Sequence, residues 1–154
     1  MDDWKKDRIG AALRGENPMV IARMKSGFAV IGDYQFLPGY CVLLACPEAG
    51  SLNELSPEDR KQYLFDMTLI GDAIMAAMKP TRLNYATLMN DFHSLHTHIH
   101  PRYEWESEEY KKGPVFLYPH EETFSKEVEY SEEKHGEIRN KIRAELERLM
   151  KENY

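Results

Sequence analysis

The stretch that most constrains the fold is Leu95-His96-Thr97-His98-Ile99-His100, where imidazoles alternate strictly with packing side chains. In an extended chain, alternate residues share a face. Ser94, His96, His98 and His100 would then project to one side, and Leu95, Thr97 and Ile99 to the other. Such a strand needs a sheet with one face packed on helices and one face left open. Burying three neutral histidines without partners is costly, so the row points to chemistry and not to a core. Four of the six histidines (His93, His96, His98 and His100) fall within eight residues.

The flanking sequence predicts the rest of that sheet. Residues 2–14 suggest a short amphipathic helix carrying Trp4, Ile9, Ala12 and Leu13, stopped by Gly15. Met19 to Met24 and Phe28 to Ile31 read as strands joined at Lys25-Ser26-Gly27. Gly32-Asp33 and Pro38-Gly39 are turn dipeptides, and Tyr40 to Ala45 is an apolar run short enough for a central strand. Ser56-Pro57-Glu58-Asp59 signals a helix start, with Tyr63, Met67, Ile70, Ile74 and Ala77 as its buried stripe and Lys79-Pro80 as its end. Leu83 to Met89 and Leu95 to His100 complete the strands, with a tight connection around Asn90-Asp91-Phe92. An acidic, aromatic stretch over 103–130 follows. A last helix capped by Ser131 carries Ile138, Ile142, Leu146, Leu149 and Met150. The order predicts an α+β domain with a mainly antiparallel sheet.

Charge narrows the partners. The chain of 154 residues has a net charge of −6 and a pI near 5.5, which argues against long nucleic acid as a ligand. Residues 103–154 hold 14 acids and 9 bases, so the half carrying the histidines is almost neutral. No segment approaches the ~20 apolar residues of a membrane helix, and the polar start Met1-Asp2-Asp3-Trp4-Lys5-Lys6 does not resemble a signal peptide. Cys41 and Cys46, at opposite parity around one strand, read as reduced thiols, and a cytoplasmic location follows.

Two chemistries suit a row of imidazoles. One is metal binding, with zinc the natural choice, although no further ligand stands at a recognisable spacing. The other is phosphate chemistry, in which a neutral imidazole attacks phosphorus and a protonated neighbour stabilises the phosphoryl oxygens. Asn90, Ser94 and Arg102 add two neutral hydrogen-bonding groups and a cation nearby.

Leu95-His96-Thr97-His98-Ile99-His100-Pro101-Arg102 resembles the signature of the histidine triad (HIT) superfamily of nucleotide hydrolases and transferases, His-φ-His-φ-His-φ-φ, often followed by Pro-Arg. Asn84 to Asn90 is similar to the asparagine-bearing strand that precedes the triad in one bacterial branch. Gly32-Asp33 through Gln35 to Tyr40 resembles the loop and Pro-Gly turn that open the nucleotide pocket. The match covers about residues 17–103, leaving 104–154 as an extension of a single HIT-like domain spanning 1–154. Two registers are open. Read from the histidines alone, the triad is His96, His98 and His100, with His98 in the middle. Anchored on Pro101-Arg102 and on Asn90, it is Ser94, His96 and His98, and two independent anchors favour this second register. Ser94 then replaces the first histidine, and His100 occupies a normally apolar position.

The resemblance implies a two-step reaction. His96 attacks the α-phosphorus of a nucleoside polyphosphate, dinucleoside polyphosphate or phosphoramidate, His98 binds the α-phosphate, and water releases the monophosphate. A backbone carbonyl would orient the imidazole of His96. No cofactor is required, and any magnesium arrives with the polyphosphate. Asn90, Ser94, Asp33, Gln35, His100 and Arg102 are the expected substrate contacts, Asp33 at the ribose. The resemblance also implies a homodimer with a continuous sheet. Ser94 favours one alternative, a non-catalytic nucleotide-binding regulatory dimer, and a zinc-binding protein is the third reading. In the 103–130 stretch, Trp105 or Tyr110 is a candidate to stack on a base, against the simpler role of a layer over the sheet edge.

Overall fold

The computed structural model describes residues 3–154. Its helices are α1 (Arg8–Leu13), α2 (Pro57–Met78), α3 (His120–Thr123) and α4 (Glu132–Asn153). Its strands are β1 (Val20–Met24), β2 (Gly27–Ile31), β3 (Cys41–Ala45), β4 (Arg82–Ala86) and β5 (His96–Arg102). The strands form one sheet in the order β1-β2-β3-β5-β4, every neighbouring pair antiparallel. The expected α+β architecture is thus what forms.

The first helix differs from the prediction over 2–14. A 3-10 turn at Asp3–Lys5 precedes α1, whose cap is Asp7, accepting from the Gly10 N–H at 2.9 Å. Met1 and Asp2 lie outside the described residues. Strand β4 stops at Ala86, earlier than Met89, because Thr87 turns its hydroxyl onto Thr97 at 2.8 Å and Met89 takes a positive φ of 49°. The link to β5 is therefore a longer loop than the tight connection expected at Asn90-Asp91-Phe92.

The long helix α2 begins and ends as its sequence dictates. Ser56 Oγ accepts from the Asp59 N–H at 3.1 Å, Pro57 opens the first turn, and Lys79 closes the helix in the left-handed conformation before Pro80. Leu69, Ile70, Ala73 and Ile74 are fully or almost fully buried against the sheet. Asp66 sits among them, holding the Ser26 backbone and hydroxyl, the Gln62 amide and the Tyr154 hydroxyl. Helix α4 starts at Ser131, whose hydroxyl accepts from the Lys134 N–H, and buries Ile142 and Leu146 against α2 and β1. The seam of α4 is therefore used within the chain.

Helix α2 covers the face of β5 that carries Thr97 and Ile99, with Leu95 just ahead of the strand on the same side, each with 0% exposure. The buried Thr97 hydroxyl is satisfied by Tyr63 Oη at 2.8 Å. Neither long helix, α2 or α4, lines the opposite face of β5, and on it stand the histidines.

Candidate active site

Three segments wall the open face into a cleft of about 740 Å³, a volume in the range of ligand sites. The floor is β3 and β5, where Leu44 pairs with His96 and Val42 with His98 across the strands. One wall is the 3-10 turn and α1, bringing Lys5, Lys6 and Arg8. The other joins the loop 32–40 to the acidic segment. There Tyr34 meets Phe124 edge-to-face at 5.0 Å and Phe36 meets Tyr118 at 4.8 Å, while residues 33–35 bridge to 128–130 through backbone hydrogen bonds.

His96, His98 and His100 come together as the alternation predicts, with ring centroids 4.9 Å and 5.7 Å apart along the row. His96 Nδ1 lies 2.7 Å from the Ser94 carbonyl. A carbonyl only accepts, so Nδ1 carries the proton and Nε2 keeps its lone pair. His98 Nδ1 lies 2.6 Å from Tyr40 Oη. Burial first, with Asp33 and Cys41 adding to it, holds the Tyr40 phenol protonated far above its usual range. The phenol proton has no other acceptor among the described residues, so Tyr40 donates to Nδ1, and His98 keeps its proton on Nε2.

Burial, then the neighbouring His96, pushes the His98 pKa down to about 4. Burial, then His98 and Arg102, pushes that of His100 down to about 3. Both are neutral near pH 7, which corrects the expectation of a protonated neighbour: a phosphoryl oxygen would meet an N–H of neutral imidazole. His100 stacks on Tyr40 at 4.5 Å and meets the edge of Phe116 at 5.6 Å.

The other expected contacts divide. Asp33 lines the cleft, with both oxygens held by Arg8 at 3.1 and 2.6 Å. Ser94 stands beside His96 and donates its hydroxyl to Glu48 at 3.1 Å. Gln35 does not reach the cleft. It is buried, with its amide spent on the Gly32 and Tyr40 carbonyls and the Gly39 N–H, so it staples the loop closed. Arg102 is likewise no phosphate ligand in this arrangement. It is 6% exposed, and Glu106, Asn84 and the carbonyls of Tyr110 and Gly113 take its donors. Asn90 stays exposed in the β4–β5 loop and does not line the cleft. Trp105 is exposed, stacked on Tyr103, and Tyr110 packs on Tyr118, so neither faces the cleft. The segment reaches it through Phe116, Tyr118 and Phe124 instead.

Sequence reasoning missed Tyr40 as the partner of His98, Glu48, and Phe92, whose ring centroid lies 5.5 Å from that of His96. Tyr40 follows the Pro-Gly turn, which was the one available signal. Cys41 and Cys46 are free thiols. Among the described residues no group of three or more His, Cys, Asp or Glu is placed to hold a metal ion, and no helix is long and apolar enough to cross a membrane.

No protein-family model and no curated protein matches the chain. Solved structures do. A histidine triad protein from Marinobacter aquaeolei is 22% identical over 84% of this chain and 89% of its own, with a TM-score of 0.70. One from Sinorhizobium meliloti is 19% identical over 94% and 96%, with a TM-score of 0.71. A hypothetical histidine triad nucleotide-binding protein from Sulfolobus tokodaii is 17% identical over 94% of both chains, with a TM-score of 0.71. The fold of this chain is that of the histidine triad proteins.

Proposed function

We propose that the protein is a nucleotide hydrolase or nucleotidyl transferase that attacks the α-phosphorus of its substrate with His96 Nε2. The observation that carries this reading is the 2.7 Å contact from His96 Nδ1 to the Ser94 carbonyl. It fixes one tautomer, aims a lone pair away from the backbone, and supplies the carbonyl that the motif resemblance called for. It also favours the register Ser94, His96, His98. The Nε2 proton of His98 would bind the α-phosphate, and Asp33 with Arg8 would frame the sugar end of the cleft. The free thiols suit a reducing, cytoplasmic setting.

A homodimer fits the two edges of the sheet. The β1 edge is closed by α4, with Arg143 donating to the Ile21 and Val20 carbonyls and Arg139 to that of Pro18. The outer edge of β4 pairs with no strand among the described residues, so a second copy can extend the sheet there.

Ser94, in place of an imidazole, favours a second reading in which the dimer binds nucleotide without turnover. Incubation with diadenosine tetraphosphate, ATP, GTP and adenosine phosphoramidate separates the two. We expect monophosphate release that His96→Ala abolishes, and a nucleotidyl adduct trapped on His96. Equal, background release by both proteins would leave only binding, and an adduct on His98 would select the other register.

A further inference from the structure

Ser94 joins two groups. Its carbonyl accepts from His96 Nδ1 at 2.7 Å, and its hydroxyl donates to Glu48 Oε1 at 3.1 Å. Glu48 lines the cleft together with His96. Its loop is pinned to the start of β5 by backbone hydrogen bonds from Ala45 N to Leu95 O at 3.0 Å and from Leu95 N to Ala49 O at 2.7 Å. The carboxylate is therefore held at the His96 end of the row.

We infer that Glu48 is the general base that activates water to release the nucleotide from His96, a role that rests on the His96 reading above. The other acidic side chains of the cleft are committed. Both oxygens of Asp33 are held by Arg8, and Asp7 caps α1 through Oδ1 while its Oδ2 lies 4.0 Å from Arg14. Glu48 has Ser94 on Oε1 as its one hydrogen-bond partner among the described residues, which leaves Oε2 for a water. His98 offers no alternative base: its Nδ1 accepts from Tyr40 and its Nε2 carries the proton. His100 is packed between Tyr40 and Phe116.

The step balances. In the intermediate, His96 carries phosphorus on Nε2 and a proton on Nδ1, so the ring is cationic. Water oxygen bonds to phosphorus, the Nε2–P bond breaks with its electron pair returning to nitrogen, and the water proton passes to Glu48 Oε2 and then to solvent. His96 emerges neutral with Nδ1–H still on the Ser94 carbonyl. Before that step, the carboxylate offsets the charge of the nucleotidyl-imidazolium. The serine that replaces a histidine of the motif thus brings in a base from another strand end.

Glu48→Gln tests this, because an amide oxygen still accepts from Ser94 but takes no proton. With ATP in single turnover, the adduct should form at the wild-type rate and decay about 100-fold more slowly, the lower end of what general bases contribute. Intact-mass measurement would then show nucleotidyl-enzyme accumulating, and azide, which has no proton to lose, should restore its decay. Wild-type decay in Glu48→Gln overturns the inference, and so does slower formation with normal decay, which marks a positioning role alone. If wild type yields neither adduct nor monophosphate, the His96 reading falls and takes this inference with it.

Discussion

His96 and Arg102 lie on the same strand and the same face, six residues apart, yet their surroundings differ in kind. At the His96 end the face opens into the cleft, and the ring has one nitrogen on a backbone carbonyl and one without a partner among the described residues. At the other end the chain after Tyr103 folds back over the sheet, leaving His100 at 7% and Arg102 at 6% exposure. Arg102 forks onto Glu106, whose side chain is fully buried, and Glu106 is also held by the Tyr103 N–H and the Tyr118 hydroxyl. Burial alone would push the Glu106 carboxyl up, but these donors bring it below the ordinary carboxylate range. Reactivity along this face is thus set by what covers it and by which nitrogens remain uncommitted.

The sharpest break in that comparison is Arg102→Ala. It leaves a buried carboxylate without its cation, a loss of about 3–5 kcal/mol of stability. In a chain of this size each kcal/mol shifts the midpoint by about 2–4 °C, so thermal unfolding should move by roughly 10 °C. Arg102→Lys should recover only part, because one ammonium cannot replace the fork. Monophosphate release per folded molecule should stay near wild type. A variant that keeps its melting temperature but loses release would put Arg102 in contact with substrate after all.

Acid distinguishes the two ends more gradually. His98 and His100 have folded pKa values of about 4 and about 3, below the 6.5 of an unfolded histidine. The unfolded chain therefore binds more protons between these values, and stability falls as pH drops through 6.5 toward 4. The shift at His98 corresponds to a loss of on the order of 3 kcal/mol by pH 4. Glu106 contributes stability above pH 4.5 and loses it only below that, so the interval from 6.5 to 5 belongs to the imidazoles. Denaturant unfolding across that interval should show a slope that flattens in His98→Gln and in His100→Gln. A slope unchanged in both variants would show that neither ring is held neutral by the fold.

The strand itself was legible, because alternation has one physical meaning: Leu95, Thr97 and Ile99 had to be packed and the imidazoles had to share a side. The ends of α2 and α4 were equally legible from Ser56, Pro57, Pro80 and Ser131, whose preferences act locally. What could not be read was which residues of that shared side stay open. His100 and Arg102 follow the same two-residue step as His96 and His98, and only the fold-back of residues 103–118 separates them. Gln35 shows the same limit. Its amide suits a ligand as well as it suits the loop, and the loop's own carbonyls took it. Asn90 kept the motif's spacing but sits on a loop whose path depends on Thr87 meeting Thr97 across the strand pair.

Tyr40→Phe probes the open end with the smallest disturbance. The ring still stacks on His100, and only the hydroxyl that donates to His98 Nδ1 is lost. One neutral hydrogen bond contributes about 0.5–1.5 kcal/mol, so stability should fall by no more than that. The catalytic effect is different in kind. Without the phenol proton, His98 is free to carry its own proton on Nδ1, and in the proposed reaction Nε2 would then present a lone pair to the α-phosphate where a donor is needed. Losing one such donor in the transition state, at about 1.4 kcal/mol, slows release about tenfold. The proportion tells which role Tyr40 has: a modest shift in melting temperature with a tenfold slower release places the phenol behind His98, whereas an equal shift with unchanged release makes it a packing residue alone.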